Sequence, residues 1–304
     1  MMPFEKCRHP LSTDPMKIYS DISSPDSLTS LKAVLEDAPA NTKILAGGTD
    51  LLLELKQGLK PPVELVVDVT AIPEMLKLEE KSTQIFVGAA VPLAEIAASS
   101  LIIKQATALY EACRLIGGPQ VRNVATLGGN VAHALPAADG SIALLSLGAE
   151  AEVLNGESSY RRKLLDLYKG PGQSALTSKD VILGFWIDAA NQYQASAFKR
   201  IMRPQGVALP ILNVSIWLER SGEIVKNIRI AVGPGGPIPT RALAAEEYLV
   251  GKPLDENSIQ EAAELLLSGV KLRSSAMRAS AGYRKHLCVQ LFKDVLLEAW
   301  QRAC

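Results

Sequence analysis

The sequence predicts an α+β protein of two domains. Up to about residue 170 strand-like and helix-like runs mix without a steady βαβ rhythm, which argues against a doubly wound parallel sheet. After a Gly/Ser-rich segment at 170–178 the texture changes to successive strand patterns followed by helical ones. A chain of 304 residues with 48% apolar content can also furnish two cores.

In chain order, residues 1–15 carry Pro3, Pro10 and Pro15 and no period, so a loose lead-in is expected. From 24 onward a helix signal begins with Asp26 near the cap, and Leu28, Leu31, Val34 and Leu35 form one helical face ending before Pro39. Residues 43–46 read as a buried strand. The turn Ala46-Gly47-Gly48-Thr49-Asp50 follows, and then a helix with Leu51, Leu52 and Leu55 on its apolar side, stopped by Gly58 and Pro61. Strands are expected at 65–69 and 84–87, and helices at 92–98 and 101–116. Next comes 117–140, GGPQVRNVATLGGNVAHALPAADG, irregular and glycine-rich between apolar neighbours. A helix at 142–147 and a strand at 151–154 complete this part. Beyond it, 181–187, 195–200, 211–218 and 224–232 read as antiparallel strands, the last pair joined by Ser221-Gly222. A rigid turn, PGGPIP, precedes helices at 241–249, 258–267 and 279–300. The expected division is 1–185 and 186–304.

Lys plus Arg and Asp plus Glu stand at 32 each, so no broad basic field favours nucleic acid. Cys7, Cys113, Cys288 and Cys304 lack C-x-x-C spacing, which speaks against an iron–sulfur cluster or structural zinc within this chain. No leader pattern and no apolar run of membrane-span length stand out, so a cytoplasmic protein is expected.

Function must therefore come from a site; the two glycine turns are the candidates, although Gly-Gly pairs are also common in plain tight turns. A glycine turn that opens a helix presents unpaired N–H groups and the positive end of the helix dipole to an anion, most often phosphate. Thr49, Thr126 and Asn130 add polar side chains beside these turns, and two such turns suit a diphosphate. Asp50, awkward beside phosphate, is expected to cap the following helix. Neither turn matches G-x-G-x-x-G or a P-loop, so residue spacing alone stops at a phosphate-containing ligand.

The two turns, with QVRNVATLGGNVAHALPAAD as the central signature, resemble the FAD-binding medium subunit of the molybdenum hydroxylases, the group containing xanthine dehydrogenase and carbon monoxide dehydrogenase. The resemblance spans essentially the whole chain. It implies an N-terminal FAD-binding domain of the PCMH type, made of two α+β subdomains over 1–185. The 186–304 remainder would be a C-terminal domain of the carbon monoxide dehydrogenase flavoprotein type, with antiparallel strands packed on helices. It implies FAD held at Ala46, Gly47, Gly48, Thr49, Asp50 and Leu51 and at Thr126, Leu127, Gly128, Gly129 and Asn130. Asp139 would anchor the nucleotide, and Ile116, Ile182 and Lys199 would lie along the flavin. His133, inside the stretch, is a further candidate contact. In the loop after Lys199, Arg203 is kept and Val207 stands where aspartate is frequent, so NAD as acceptor is not implied. No residue is assigned as catalytic and none as a metal ligand. The resemblance further implies a large molybdopterin-binding partner and a small [2Fe–2S] partner in a dimer of heterotrimers, with this FAD passing electrons to an outside acceptor. A self-contained flavin reductase of the same fold, or a scaffold subunit that has lost FAD, are the other readings.

Overall fold

The computed structural model describes residues 17–202, 209–276 and 278–303. The lead-in at 1–15, Cys7, Arg203, Val207 and Cys304 lie outside these described residues.

The chain begins with β1 (Tyr19–Ser23), α1 (Leu28–Glu36), β2 (Thr42–Leu45), α2 (Leu51–Lys56) and β3 (Val63–Asp68). The three strands form a parallel sheet in the order β1-β3-β2, with Leu65 of the central strand opposite both Asp21 and Thr42. This is a local βαβαβ arrangement that the irregular pattern of the longer segment concealed. The strand β1 has no apolar alternation to reveal it: YSDIS leaves its three central residues exposed. The cap of α1 is Ser27, next to Asp26; Ser27 Oγ accepts from Ser30 N, and Ser30 Oγ accepts from Ser27 N in return.

The chain continues through β4 (Leu78–Lys81), β5 (Gln84–Gly88), α3 (Leu93–Ala98), α4 (Ser100–Gln105), α5 (Thr107–Cys113), α6 (Pro119–Arg122), α7 (Leu127–Ala132) and α8 (Asp139–Leu147). It then forms β6 (Glu150–Asn155), β7 (Ser158–Lys163), the small pair β8 (Tyr168–Gly170) and β9 (Gln173–Ser174), and β10 (Asp180–Asp188). The helix expected over 101–116 is broken at Ala106, whose φ of −143° and ψ of 53° leave the helical region, and it ends at Cys113. Five strands make an antiparallel sheet in the order β4-β5-β10-β6-β7. So β10, which reads in the sequence as the first of a C-terminal series, lies between β5 and β6 instead. Its unbroken apolar run suits a central strand, whereas β7, almost wholly exposed and polar, is an edge that periodicity did not show.

The C-terminal part is β11 (Gln194–Met202), β12 (Pro210–Ser221), β13 (Ile224–Gly233), β14 (Thr240–Arg241), α9 (Leu243–Leu249), α10 (Glu256–Gly269) and α11 (Ala281–Arg302), with the strands antiparallel in that order. One face of this sheet packs on the three helices, through Ala197, Val214, Ile230, Phe292 and their neighbours. The other face contributes Phe198 and Ala231 to the core of the preceding part. Every residue of α8 is buried.

Polar side chains from the C-terminal sheet hold that helix. Arg229 donates to Ser146 O at 2.8 Å and Leu147 O at 3.0 Å, satisfying two carbonyls at the helix C-terminus, while its guanidinium lies 3.8 Å from the Trp217 ring centroid. Burial pushes the Arg229 pKa down to about 10, with Arg241 adding to the fall. Ser215 and Ser146 share a hydroxyl hydrogen bond of 2.6 Å between the middle of the sheet and the helix. Arg200 reaches Asp139 at the helix N-terminus. Among the described residues, no helix is long and apolar enough to cross a membrane.

Candidate functional site

The parallel sheet and α7 face each other across a cleft with Ile44, Ala46, Gly128, Gly129, Ala132 and Ile182 among its walls. The first turn leaves β2 at Leu45 and enters α2 through Ala46–Asp50. Gly48 adopts a φ of +67°, where an L side chain is strained. Gly47 is required for a different reason: a Cβ there would stand 2.1 Å from Val124 O. The 46–50 turn is thus packed backbone to backbone against the residues that lead into the second turn. Neither backbone carbonyls nor side chains among the described residues accept from the N–H groups of Gly47, Gly48, Thr49, Asp50 and Leu51. Consecutive free donors at one turn are a feature suited to an anion.

In the second turn the two glycines have separate tasks. Gly128 N donates to Ala89 O at 2.9 Å, and an added Cβ would come within 2.7 Å of that oxygen, so this glycine permits packing. Gly129 is exposed, and a Cβ there would meet only Thr126 Oγ1 at 3.3 Å. It forms the open wall that a ligand can approach. Thr126 is buried and caps α7, its hydroxyl accepting from Gly129 N at 3.1 Å. Leu127 is fully buried and serves the core, while Leu51 packs half-buried beneath the parallel sheet. Asn130 Oδ1 is buried without a partner among the described residues and lies against Gly140 of α8, where an added Cβ would come within 2.7 Å of it. The free donors and the bare Gly129 wall fit a polar anionic cofactor.

Asp50 does not cap α2: its side chain makes no cap hydrogen bond. Its Oδ2 instead lies 3.5 Å from His133 Nδ1, and the opposite ring nitrogen, Nε2, lies 3.3 Å from Glu54 Oε1. The Asp50 contact, opposed by burial and reinforced by Glu54, raises the imidazole above its ordinary pKa of 6.5. The same contact holds Asp50 below its ordinary value.

Two expected flavin contacts point elsewhere. Lys199 pairs with Glu298 Oε2 of α11 at 2.7 Å, on the helix-bearing face of the sheet. Alternation along β11 explains this: Phe198 and Arg200 share the face toward α8, and Lys199 between them takes the other. Asp139 is 4% exposed, and its oxygens accept from Arg200 Nη1 and, at 2.6 Å, from Asn213 Nδ2. Burial pushes its carboxyl up, against the pull of Arg200 and Asn213. The carboxylate thus locks α8 to the C-terminal sheet and is absent from the cleft wall. Ile116 is half-buried against the core, with its carbonyl held by Arg122 at 3.2 Å; Arg122 also bonds Gly117 O at 2.7 Å and meets no carboxylate among the described residues. Ile182 lines the cleft at 6% exposure.

Sequence reasoning missed Arg200, Asn213 and Glu54. The first two were within reach of a strict period-2 reading of β11 and β12, which places polar residues among buried ones. Glu54 carries no local signal, because its partner lies 79 residues away.

Residues 17–187 match the family described as the FAD binding domain in molybdopterin dehydrogenase, and residues 196–299 the CO dehydrogenase flavoprotein C-terminal domain. The chain belongs to the FAD-binding medium subunits of the molybdenum hydroxylases. It carries an FAD-binding domain and is an oxidoreductase subunit. It is 30% identical over 287 residues to the nicotine 6-hydroxylase medium subunit of Paenarthrobacter nicotinovorans, covering 93% of this chain and 97% of that one. To the carbon monoxide dehydrogenase medium chain of Hydrogenophaga pseudoflava it is 28% identical over 281 residues, covering 92% and 96%. A solved carbon monoxide dehydrogenase from the same organism, lacking the Mo-pyranopterin moiety of its cofactor, superposes with a TM-score of 0.87 at 26% identity, over 93% of this chain and 98% of that one. Quinoline 2-oxidoreductase from Pseudomonas putida 86 gives 0.85 at 27% identity, over 94% and 98%.

Proposed function

We propose that this medium subunit passes electrons from the [2Fe–2S] clusters of a small partner subunit, through its own FAD, to an external acceptor, while a large molybdopterin-binding partner oxidises the substrate. The assembly would be a cytoplasmic dimer of heterotrimers. The observation that carries the reading is the run of free N–H donors at 47–51, packed against the approach to the second glycine turn.

In this reading those donors bind the diphosphate, and Thr49 stands at the same turn. The Thr126-capped start of α7 presents Gly129 to it. Ile44, Ile182 and the neighbouring apolar wall exclude water from one side of the site. Bound FAD supplies the redox centre, and the protein's task is to hold and orient it. Cys113 and Cys288 are both buried, and burial raises both thiols, Cys288 to about 12. Neither is disposed to act as a thiolate ligand, which supports placing the clusters on a partner. The division into 1–185 and 186–304 belongs to the same reading and is supported by the separate C-terminal core.

Purification of the chain from its native source tests this directly. The expected preparation contains two further subunits, flavin and iron–sulfur absorption, and molybdenum. A colourless chain that fails to take up added FAD would refute the cofactor site. A lone chain that reduces an organic substrate with NADPH would refute the subunit role.

A further inference from the structure

The 46–50 turn contains an apparent contradiction. It offers five free N–H groups to an anion, yet Asp50 belongs to those five and carries an exposed carboxylate, with Glu54 one helical turn along on the same side of α2. Two carboxylates beside an anion site raise the local negative potential and oppose a diphosphate.

His133 answers both carboxylates. It sits at the C-terminal end of α7, where the helix dipole favours a cation, and it touches Asp50 with Nδ1 and Glu54 with Nε2. A neutral imidazole has one N–H and can donate to only one acceptor. Two carboxylates, one on each ring nitrogen, therefore call for the imidazolium. The charged groups facing the ring are Asp50 and Glu54 from α2, with Lys60 behind them, bonded to Glu54 Oε2 at 2.5 Å. The sequence of α7 itself, LGGNVA, presents no titratable group.

We propose that protonated His133 is a positioning residue for the cofactor: it neutralises Asp50 and Glu54 and staples the helix of the second glycine turn to that of the first, so that retention of FAD depends on a single proton. The proposal rests on the reading of the cleft as the FAD site. Its sign follows from the charges. The histidine pKa is raised above 6.5, so the cation persists past that value and is lost only as pH rises through the folded pKa. Asp50 and Glu54 are both lowered, Glu54 because Lys60 and His133 together outweigh burial, so both carboxylates stay charged throughout that range. Raising the pH then weakens the staple and leaves Asp50 without its imidazolium partner and Glu54 with Lys60 alone, which raises the negative potential beside the diphosphate. By linkage, FAD must raise the His133 pKa by the same factor by which the proton tightens FAD.

The test measures FAD affinity of the whole chain from pH 6 to 9, with histidine ring titrations followed by NMR with and without FAD; the chain has three histidines, so the signals can be assigned by substitution. Wild type is expected to bind FAD on the order of tenfold more weakly above the His133 pKa, and FAD is expected to lift that pKa by about one unit. His133→Gln should bind weakly with no dependence over this range. The double variant Asp50→Asn, Glu54→Gln should bind tightly and independently of pH, because it removes the charges that the proton offsets. Thermal melts of each variant separate loss of the staple from loss of fold. Flat affinity in a wild type that binds FAD, or a double variant that keeps the wild-type pH dependence, overturns the inference and leaves the FAD site standing. Failure of wild type to bind FAD at any pH overturns the site reading itself.

Discussion

Substitution of Gly129 by valine separates the ligand site from the fold. In the protein alone, a Cβ at this position meets only Thr126 Oγ1 at 3.3 Å, and the residue is exposed. Surface changes away from such contacts shift stability by about 0.5 kcal/mol in either direction, and replacing a helical glycine offsets part of any cost. The folded apoprotein is therefore expected to melt close to wild type. The ligand meets a different situation. A branched side chain on the open wall pushes the diphosphate away from the 47–51 donors. Hydrogen bonds to charged groups contribute about 1.5–3 kcal/mol each, so losing two weakens FAD by about 10²- to 10⁴-fold. The assay is flavin absorbance retained after gel filtration, with affinity from flavin fluorescence and a melt of the apoprotein. Gly47→Ala is the contrasting variant: its Cβ would lie 2.1 Å from a backbone oxygen, so a fall of about 1–3 kcal/mol in stability should accompany loss of flavin. Full FAD occupancy in Gly129→Val would refute the assignment of this wall, and an unchanged melt for Gly47→Ala would refute the close packing of the two turns.

Arg200→Met leaves the Asp139 carboxylate buried without its cation and should cost about 3–5 kcal/mol in denaturant unfolding, whereas Arg200→Met with Asp139→Leu should recover much of it; a single variant as stable as wild type would remove the ion pair as the lock on α8. Arg229→Leu deprives Ser146 O and Leu147 O of their donor and should lower stability by about 2–3 kcal/mol, measured in the same way, and a loss below experimental error would show that water replaces it. Lys199→Met breaks a partly exposed pair with Glu298 and should cost less than about 1 kcal/mol while leaving the flavin midpoint potential unchanged; a shifted potential would return Lys199 to the flavin's surroundings.

By itself, the sequence determined the features that rest on local backbone chemistry and period. Glycine pairs marked both turns, because only a bare backbone tolerates a φ of +67° at Gly48 or the approach of Val124 O to Gly47. Apolar runs marked the C-terminal strands. The tertiary structure alone decided which of these features meet. It set the 46–50 turn against the 124–125 backbone, moved β10 into the earlier sheet, and raised β1 and β7 from polar segments that pair only because a neighbouring strand offers its edge. It also redirected side chains. Asp139 meets Arg200 across 61 residues and Asn213 across 74, Lys199 turns to α11, and His133 stands between Asp50 and Glu54, the latter 79 residues distant. The reason is common to all of them: local sequence encodes conformation and face, whereas the partner of a charge is set by long-range packing, and that partner decides whether a carboxylate binds a ligand, caps a helix or locks two layers together.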